Sequence, residues 1–179
     1  MSVKLRVEDI TAEAKELSFV EPEQELNRIL ARGSVNEYRL ETPIAVDVAY
    51  YRAGTELFFQ GVLKAMTRAC CARCAEEFEL PRERAFHYVL APRVIGYDRQ
   101  ADLRAEDLEF SLYEGEQVDL TPLIREQMLL ALTERPVCRE ECQGLCPHCG
   151  ANLNDGDCGC RDEAFDPRLS VLRSIKGRN

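Results

Sequence analysis

Six of the nine cysteines lie between Cys138 and Cys160, and this crowding constrains the fold more than any other feature of the sequence. Isolated free cysteines are commonly small buried apolar residues, but that role does not explain six thiols in so short a window. Cys146 and Cys149 belong to a knuckle of sequence Cys-Pro-His-Cys-Gly. Its two-residue gap points both thiolates at one centre, and the glycine permits the positive φ of the turn. The spacing predicts a metal site.

Zinc prefers four soft ligands in a tetrahedron, so the knuckle must recruit further thiols. Cys158 and Cys160 return to the knuckle after a loop, and a one-residue gap lets them chelate jointly only if Gly159 bends the chain. Cys138 and Cys142 approach from the other side. The predicted zinc ligands are Cys138, Cys142, Cys146, Cys149, Cys158 and Cys160. Whether they complete one tetrahedron or share two is left open by the sequence.

Cys71 and Cys74 form a second pair with the same two-residue gap, at the end of a predicted strand. Three interpretations stay open: core thiols, a redox pair, or a second zinc site that Cys138 and Cys142 complete. A redox Cys-x-x-Cys normally depends on a helix N-terminus to stabilise its thiolate, and no helix start follows Cys74. Cys70 has no predicted role.

Cellular location decides how paired thiols are interpreted. The chain begins without the apolar run of a signal peptide and contains no stretch that could span a bilayer, so we expect a cytoplasmic protein that does not act on a membrane. Disulfides are rare in a reducing compartment, whereas paired thiols there bind metal or do redox chemistry. The net charge of −9 disfavours a protein that coats nucleic acid.

Alternating apolar residues predict a sheet in the first half of the chain. Residues 44–50 place apolar side chains on one face, a turn follows at 52–55, and residues 57–67 favour a second strand. A third strand is predicted in two parts, at 78–80 and 85–90. These runs predict an antiparallel hairpin extended by a neighbouring strand.

Helix signals appear together after an acidic segment. Residues 98–119 read as a surface loop with at most a short strand near Phe110. Thr121 is the predicted N-cap and Pro122 the first helical residue, and the helix is predicted to end at Arg135 and Pro136. A short terminal helix is predicted after Asp166.

We therefore predict an α+β fold with an antiparallel sheet in the N-terminal half and a helix with a cysteine-rich zinc module in the C-terminal half. Residues 1–120 are predicted to form a mainly β domain that carries the acidic loop 98–119. Residues 121–179 are predicted to hold the helix, the zinc-binding module and the short terminal helix.

The sequence offers no active site. It contains two histidines: His148 lies inside the knuckle, and His87 lies on a predicted strand where it is expected to be structural. No glycine-rich phosphate loop, G-x-S-x-G elbow or H-E-x-x-H pattern occurs. We expect a protein that is not an enzyme and has no small-molecule substrate.

With these motifs, the chain resembles the large ribosomal RNA subunit accumulation protein family, also called YceD. The family's Cys-x-Arg-Cys matches residues 71–74, and an aromatic residue follows at Phe78. The helix resembles residues 118–132, the cysteine-rich stretch matches residues 138–160, and the ending matches residues 166–172. The resemblance implies a role in accumulation of large-subunit ribosomal RNA without known catalytic activity.

Three functions compete. The leading hypothesis is a non-enzymatic factor that binds a ribosomal protein, an rRNA-processing factor or precursor rRNA through its zinc module and basic tail. The tail residues expected to contact the partner are Arg168, Arg173, Lys176 and Arg178. The alternatives are a thiol-disulfide oxidoreductase that uses Cys71 and Cys74, and a nucleic-acid-binding zinc ribbon, which requires more positive charge than Arg139, Arg161 and Arg168 supply.

Overall fold

The structure, a computed structural model, describes residues 2–32, 38–93 and 110–160. Across these ranges the elements are β1 (Lys4–Arg6), β2 (Lys15–Glu21), α1 (Glu23–Arg32), β3 (Tyr38–Leu40), β4 (Ile44–Ala53), β5 (Glu56–Cys70), β6 (Glu77–Pro92), β7 (Phe110–Tyr113), β8 (Gln117–Asp119) and α2 (Leu120–Ala131). A short 3-10 turn at Val7–Asp9 follows β1. The predicted α+β class is confirmed: strands dominate the first half, and a helix and cysteine clusters follow.

Six strands of the described residues form the main sheet. Their order is β2-β4-β5-β6-β7, and β3 pairs with the far end of β5. All of these pairs are antiparallel except β6 with β7, which is parallel. The hairpin predicted from residues 44–67 is β4 with β5, and its turn uses Gly54 at φ +63°. A separate two-stranded sheet joins β1 to β8.

β6 is one continuous strand of 16 residues, so the prediction of two parts is wrong. The apolar pattern breaks at Arg82, Glu83 and Arg84, but each of these side chains has a partner. Arg82 donates to the Tyr38 and Thr133 hydroxyls, Glu83 pairs with Lys64 at 3.2 Å, and Arg84 donates to the Gln127 side chain at 2.9 Å. These partners allow charged residues to continue the strand where periodicity alone indicates a break.

The core lies between the inner face of the sheet and the two helices. Leu57, Phe59 and Leu63 of β5 are fully buried there, and α2 contributes Ile124 and Met128. The same apolar cluster therefore includes side chains from both sides of residue 120. The domain boundary that the sequence predicts at this residue stays a prediction. In the described residues, neither helix is long and apolar enough to cross a membrane.

The start and end of α2 differ from the sequence prediction. Asp119, not Thr121, is the N-cap: its carboxylate accepts a hydrogen bond from the Thr121 backbone N–H at 2.9 Å. Pro122 is consequently the third helical residue, which is tolerated because N–H groups of the first turn have no partner within the helix. The helix ends at Ala131 because Leu132 is extended, well before Arg135.

Other predictions concern segments at the edge of the described residues. The short strand predicted near Phe110 is β7. The acidic positions 98–109, the terminal helix after Asp166 and the basic tail all lie outside the described residues.

Candidate metal centres

Eight of the nine cysteines form two groups of four. We call the group of Cys71, Cys74, Cys138 and Cys142 the inner cluster. We call the group of Cys146, Cys149, Cys158 and Cys160 the outer cluster. In each group the four sulfur atoms lie within 4.8 Å of one another. Three of the inner thiols are buried, whereas two of the outer ones, Cys149 and Cys160, are exposed.

The first half of the inner cluster follows directly from the end of β5. There the chain turns, with the Ala75 N–H donating to the Cys71 carbonyl at 2.9 Å. Ala75 adopts φ +60°, a left-handed conformation that glycine usually supplies. The Cys71 N–H in turn donates to the Glu76 carbonyl at 2.8 Å. This knuckle points Cys71 and Cys74 away from the sheet toward the segment that follows α2.

That segment supplies the second half of the inner cluster. The Ala72 N–H donates to the Pro136 carbonyl at 2.7 Å, which brings the chain beside the knuckle. The Cys142 N–H donates to the Arg139 carbonyl at 3.1 Å and curls the intervening residues into a turn. Cys138 and Cys142 thereby face the first pair of thiols.

The sulfur positions test whether a metal ion fits. Cys71 Sγ lies 3.8 Å from Cys142 Sγ, and Cys74 Sγ lies 3.8 Å from Cys138 Sγ. A zinc–sulfur bond of about 2.3 Å gives a tetrahedron whose edges are about 3.8 Å. A disulfide would require a sulfur–sulfur distance of about 2.0 Å. The inner cluster therefore has the dimensions of a site for one tetrahedral ion.

The outer cluster is built on the knuckle recognised in the sequence. The Gly150 N–H donates to the Cys146 carbonyl at 2.9 Å, and Gly150 adopts φ +75°. Gly159 adopts φ +73°, and its N–H donates to the Asp157 side chain at 2.9 Å. This is the bend that the one-residue gap between Cys158 and Cys160 requires, and it turns both thiols toward the knuckle.

Ionisation within the inner cluster is uneven. Burial raises the pKa of the Cys71 thiol, but hydrogen bonds from the N–H groups of Cys74, Arg73 and Cys138 outweigh that effect and lower this pKa to about 6. At Cys74 the backbone N–H of Glu76 favours the thiolate, yet burial and the hydrogen bonds with the other thiols raise the pKa to about 12. The hydrogen bond from the Asn154 side chain lowers the pKa of Cys142 as well, whereas burial raises the pKa of Cys138. The inner cluster therefore contains two thiols that favour the thiolate and two that favour the protonated form.

The outer cluster repeats this arrangement. The N–H groups of Cys149 and His148 lower the pKa of Cys146 to about 6. Hydrogen bonds with Cys149 and Cys158 raise the pKa of Cys160 to about 12. Four thiolates around one centre repel one another, and the positive charge of a divalent cation offsets that repulsion. Metal binding therefore releases the protons that remain on the thiols.

Arg73 links the first knuckle to the chain after α2. Its guanidinium donates to the carbonyls of Glu140 and Cys142, at 2.8 and 3.0 Å. Its own carbonyl accepts from the Leu145 N–H at 3.1 Å. Gly144 passes so close that a Cβ there would lie 3.0 Å from that carbonyl oxygen, and its φ is +77°. The two clusters are thus held against each other by the Arg73 main chain and side chain.

The structure divides the six predicted ligands between two sites. Cys138 and Cys142 lie with Cys71 and Cys74, which is the grouping expected of a second zinc site among the alternatives left open by the sequence. Cys70 lies outside both clusters and its thiol contacts the Ala75 carbonyl at 3.3 Å. The four tail residues lie outside the described residues: Arg168, Arg173, Lys176 and Arg178.

Sequence reasoning missed the polar residues that organise the clusters. In the sequence, Arg73 stands out only as part of the Cys-x-Arg-Cys pattern, and Asn152 and Asn154 lie within the cysteine-rich stretch at residues 138–160. The Asn154 amide contacts the Cys142 sulfur at 3.4 Å, and Asn152 donates to the Glu76 carboxylate at 2.9 Å. Asn152 and Asn154 lie between Cys149 and Cys158 in the sequence, and this position was the available signal for the two asparagines.

Comparison with known proteins gives one family. The family model described as "Large ribosomal RNA subunit accumulation protein YceD" matches residues 59–176, a range that contains both clusters. A Mycobacterium tuberculosis protein described as uncharacterized is 35% identical over 118 residues, covering 65% of this chain and 54% of that protein. No solved structure matches the chain.

A plant protein is also similar. The Arabidopsis thaliana protein described as "Large ribosomal RNA subunit accumulation protein YCED homolog 1, chloroplastic" is 27% identical over 164 residues, covering 79% of this chain and 51% of its own length. The chain thus spans about half the length of the curated relatives it matches.

Proposed function

Since the chain belongs to the large ribosomal RNA subunit accumulation protein (YceD) family, we propose that it is a non-enzymatic factor that supports accumulation of large-subunit ribosomal RNA and ribosome biogenesis. In this proposal it acts through a module stabilised by two zinc ions, one in each cluster. The partner is a ribosomal protein, an rRNA-processing factor or precursor rRNA. The site of action is the cytoplasm.

The proposal of two bound metal ions rests on the arrangement of four sulfur atoms around one point in each cluster. Four thiolates in a tetrahedron favour zinc or iron among biological metals. Edges near 3.8 Å leave room for one ion and not for a polynuclear cluster. Four protein ligands also close the coordination sphere, as in structural zinc sites, whereas catalytic zinc keeps one position for water.

A second observation supports a non-enzymatic role. A shallow depression of about 660 Å³ on the outer face of the sheet contains Ser18, Asp47 and His87. The Ser18 hydroxyl donates directly to the Asp47 carboxylate at 2.6 Å. β4 and β5 separate Ser18 from His87, a span of roughly 14 Å at the usual strand spacing. A base that distant cannot activate the serine, so these residues do not form a nucleophilic site.

The competing functions receive less support. A redox pair needs an accessible thiolate, but Cys71 and Cys74 are both buried within the inner cluster. A nucleic-acid-binding ribbon needs free basic side chains, but Arg73 is bound to two carbonyls and Arg139 to Asn154. The net charge of −9 favours a basic protein as the first partner of this chain, through complementary charge.

The test is a strain that lacks the protein. We expect its sucrose-gradient profile to show a lower ratio of large-subunit to small-subunit ribosomal RNA than the profile of the wild-type strain, and we expect the wild-type chain to restore that ratio. Cys74→Ser and Cys149→Ser chains should restore the ratio poorly, whereas Cys70→Ser, which changes a thiol outside both clusters, should restore it fully. A normal subunit ratio in the deletion strain contradicts the ribosomal role. Full restoration by the cluster variants contradicts the role of metal.

A further inference from the structure

Asn154 connects the two clusters through its side-chain amide. It belongs to the loop between Cys149 and Cys158 of the outer cluster, yet its Nδ2 donates to the sulfur of Cys142 in the inner cluster at 3.4 Å. Its Oδ1 accepts from the Gln143 N–H at 3.0 Å and from the Arg139 guanidinium at 2.8 Å. Two donors on the oxygen fix the orientation of the amide, so its NH2 group faces the sulfur.

The loop that carries Asn154 is itself held in place. Asn152 accepts from both the backbone N–H and the side chain of Asn154, at 3.0 and 2.7 Å. Asn152 also forms an isolated β-bridge with Leu145, and the Leu153 N–H donates to the Gly144 carbonyl at 2.9 Å. The position of Asn154 therefore depends on the fold of the loop between the outer ligands.

A donor on a metal-bound thiolate matters chemically, because it stabilises the charge on the sulfur and holds the ligand in its coordinating orientation. Removing such a supporting hydrogen bond typically weakens metal affinity by about 10–100-fold. Here the donor is supplied by the loop that joins the two halves of the outer cluster.

We propose that the two clusters form one coupled metal module, in which loading of the outer cluster presents Asn154 to Cys142 and slows metal release from the inner cluster. The inference rests on the zinc loading proposed above and does not depend on the ribosomal role. Because Cys149 and Cys160 are exposed and the inner thiols are mostly buried, the outer ion exchanges with solution faster than the inner ion does. Coupling between two binding events is reciprocal, so a loaded inner cluster also strengthens binding at the outer one.

The experiment follows exchange of the bound zinc for an excess of an enriched zinc isotope, by native mass spectrometry of the full chain. The excess keeps the outer cluster loaded throughout, and the wild-type chain should exchange two ions in two phases. Asn154→Asp keeps an acceptor for Gln143 and Arg139 but removes the donor to sulfur, so the slow phase should accelerate by about 10–100-fold. Asp155→Asn alters charge one residue along the same loop and should leave the slow phase unchanged.

A Cys149→Ser background assigns the phases and tests the coupling directly. That chain should hold only the inner ion, release it faster than wild type does, and respond little to Asn154→Asp, because the donor is already displaced. A chain that binds no zinc overturns the metal loading and the coupling together, while the ribosomal role can still hold. Two bound ions whose slow phase is unaffected by both Asn154→Asp and Cys149→Ser overturn the coupling alone.

Discussion

Ala75 and Gly150 occupy the same position in the two knuckles, each directly after the second cysteine of a Cys-x-x-Cys pair. Both adopt a left-handed conformation, with φ +60° and +75°, and each donates its N–H to the carbonyl of the first cysteine at 2.9 Å. The two turns therefore have the same backbone design although only one uses glycine.

This equivalence predicts opposite effects of exchanging the residues. Gly150→Ala should destabilise the metal-loaded chain by about 1 kcal/mol, since a Cβ makes the left-handed conformation costly. Ala75→Gly should relieve the same strain and be neutral or stabilising by up to about 1 kcal/mol, after the entropy that glycine adds to the unfolded chain. Denaturant unfolding in the presence of zinc measures both. A stabilising Gly150→Ala contradicts the argument.

Metal content distinguishes the two clusters. Purified under reducing conditions without chelator, the chain should contain two zinc ions by elemental analysis. Cys74→Ser and Cys149→Ser should each lose one ion, because they remove ligands of different clusters. Cys70→Ser is the matched control and should keep both ions. Loss of both ions in either single variant would show that the clusters do not load as separate sites.

Zinc binding should release a number of protons that depends on pH. The pKa of Cys71 and that of Cys146 are both about 6, below the ordinary 9.0, so these thiolates stabilise the metal-free fold at high pH and lose that effect as pH falls through about 6. Below that pH Cys71 and Cys146 are also protonated and must release protons on zinc binding, whereas above it they are already thiolates and the chain releases fewer protons. Calorimetry in buffers of different ionisation enthalpy measures the count, and a count that does not change with pH contradicts this prediction.

The N-cap of α2 gives a prediction that is independent of metal. Burial disfavours the Asp119 carboxylate, but hydrogen bonds from Ser2 and Thr121 outweigh burial and lower its pKa below the ordinary 3.8. Asp119→Ala should cost about 1 kcal/mol of stability, and Asp119→Asn less, because an amide oxygen can also cap. The contribution of the carboxylate is present above pH 3.8 and is lost as pH falls through the lowered value. Unfolding curves of the two variants across this range provide the measurement, and equal losses in both would argue against capping.

Gly61 should tolerate no side chain. A Cβ at this position in β5 would lie 2.3 Å from the Asp47 carbonyl oxygen and 3.0 Å from the Phe86 ring. Gly61→Ala must therefore push β4 away or displace Phe86, and we expect a loss of about 3 kcal/mol or more. Val62→Ala, on the adjacent half-buried position, should cost about 1 kcal/mol. Thermal unfolding that ranks the two variants in the opposite order would refute the packing argument.

The sequence predicts those parts of the fold that depend on local patterns. Alternation along residues 44–50 gives β4, and Gly54 marks the turn to β5. The sequence pattern does not reveal the helix α1 because its apolar stripe is short: Leu26 is its one buried residue, and Ile29 is 42% exposed. Two acids in its first turn and Arg32 in its last were the available signals.

The sequence predicts the parts of the candidate metal sites that lie within one short segment, but it does not predict which segments come together. The knuckle at Cys146 follows from spacing, because its geometry is local. The partnership of Cys142 with Cys71 is a tertiary contact between thiols 71 positions apart, and it depends on where β5 and α2 end. No spacing rule contains that information. The capping role of Asp119 was missed for a smaller reason, since Thr121 is an equally acceptable N-cap by residue type.

The separation of the inner ligands sets an order of events during synthesis. Cys74 and Cys138 are 64 positions apart, and Cys71 and Cys142 are 71 apart. At roughly 5–20 residues per second, a translating ribosome takes roughly 3–14 s to add the second pair after the first. The β5–β6 hairpin has been synthesised by then, so the complete set of four inner thiols exists only after that hairpin does. Until the second pair is added, Cys71 and Cys74, which lie between the two strands in the sequence, are available to any competing metal or oxidant.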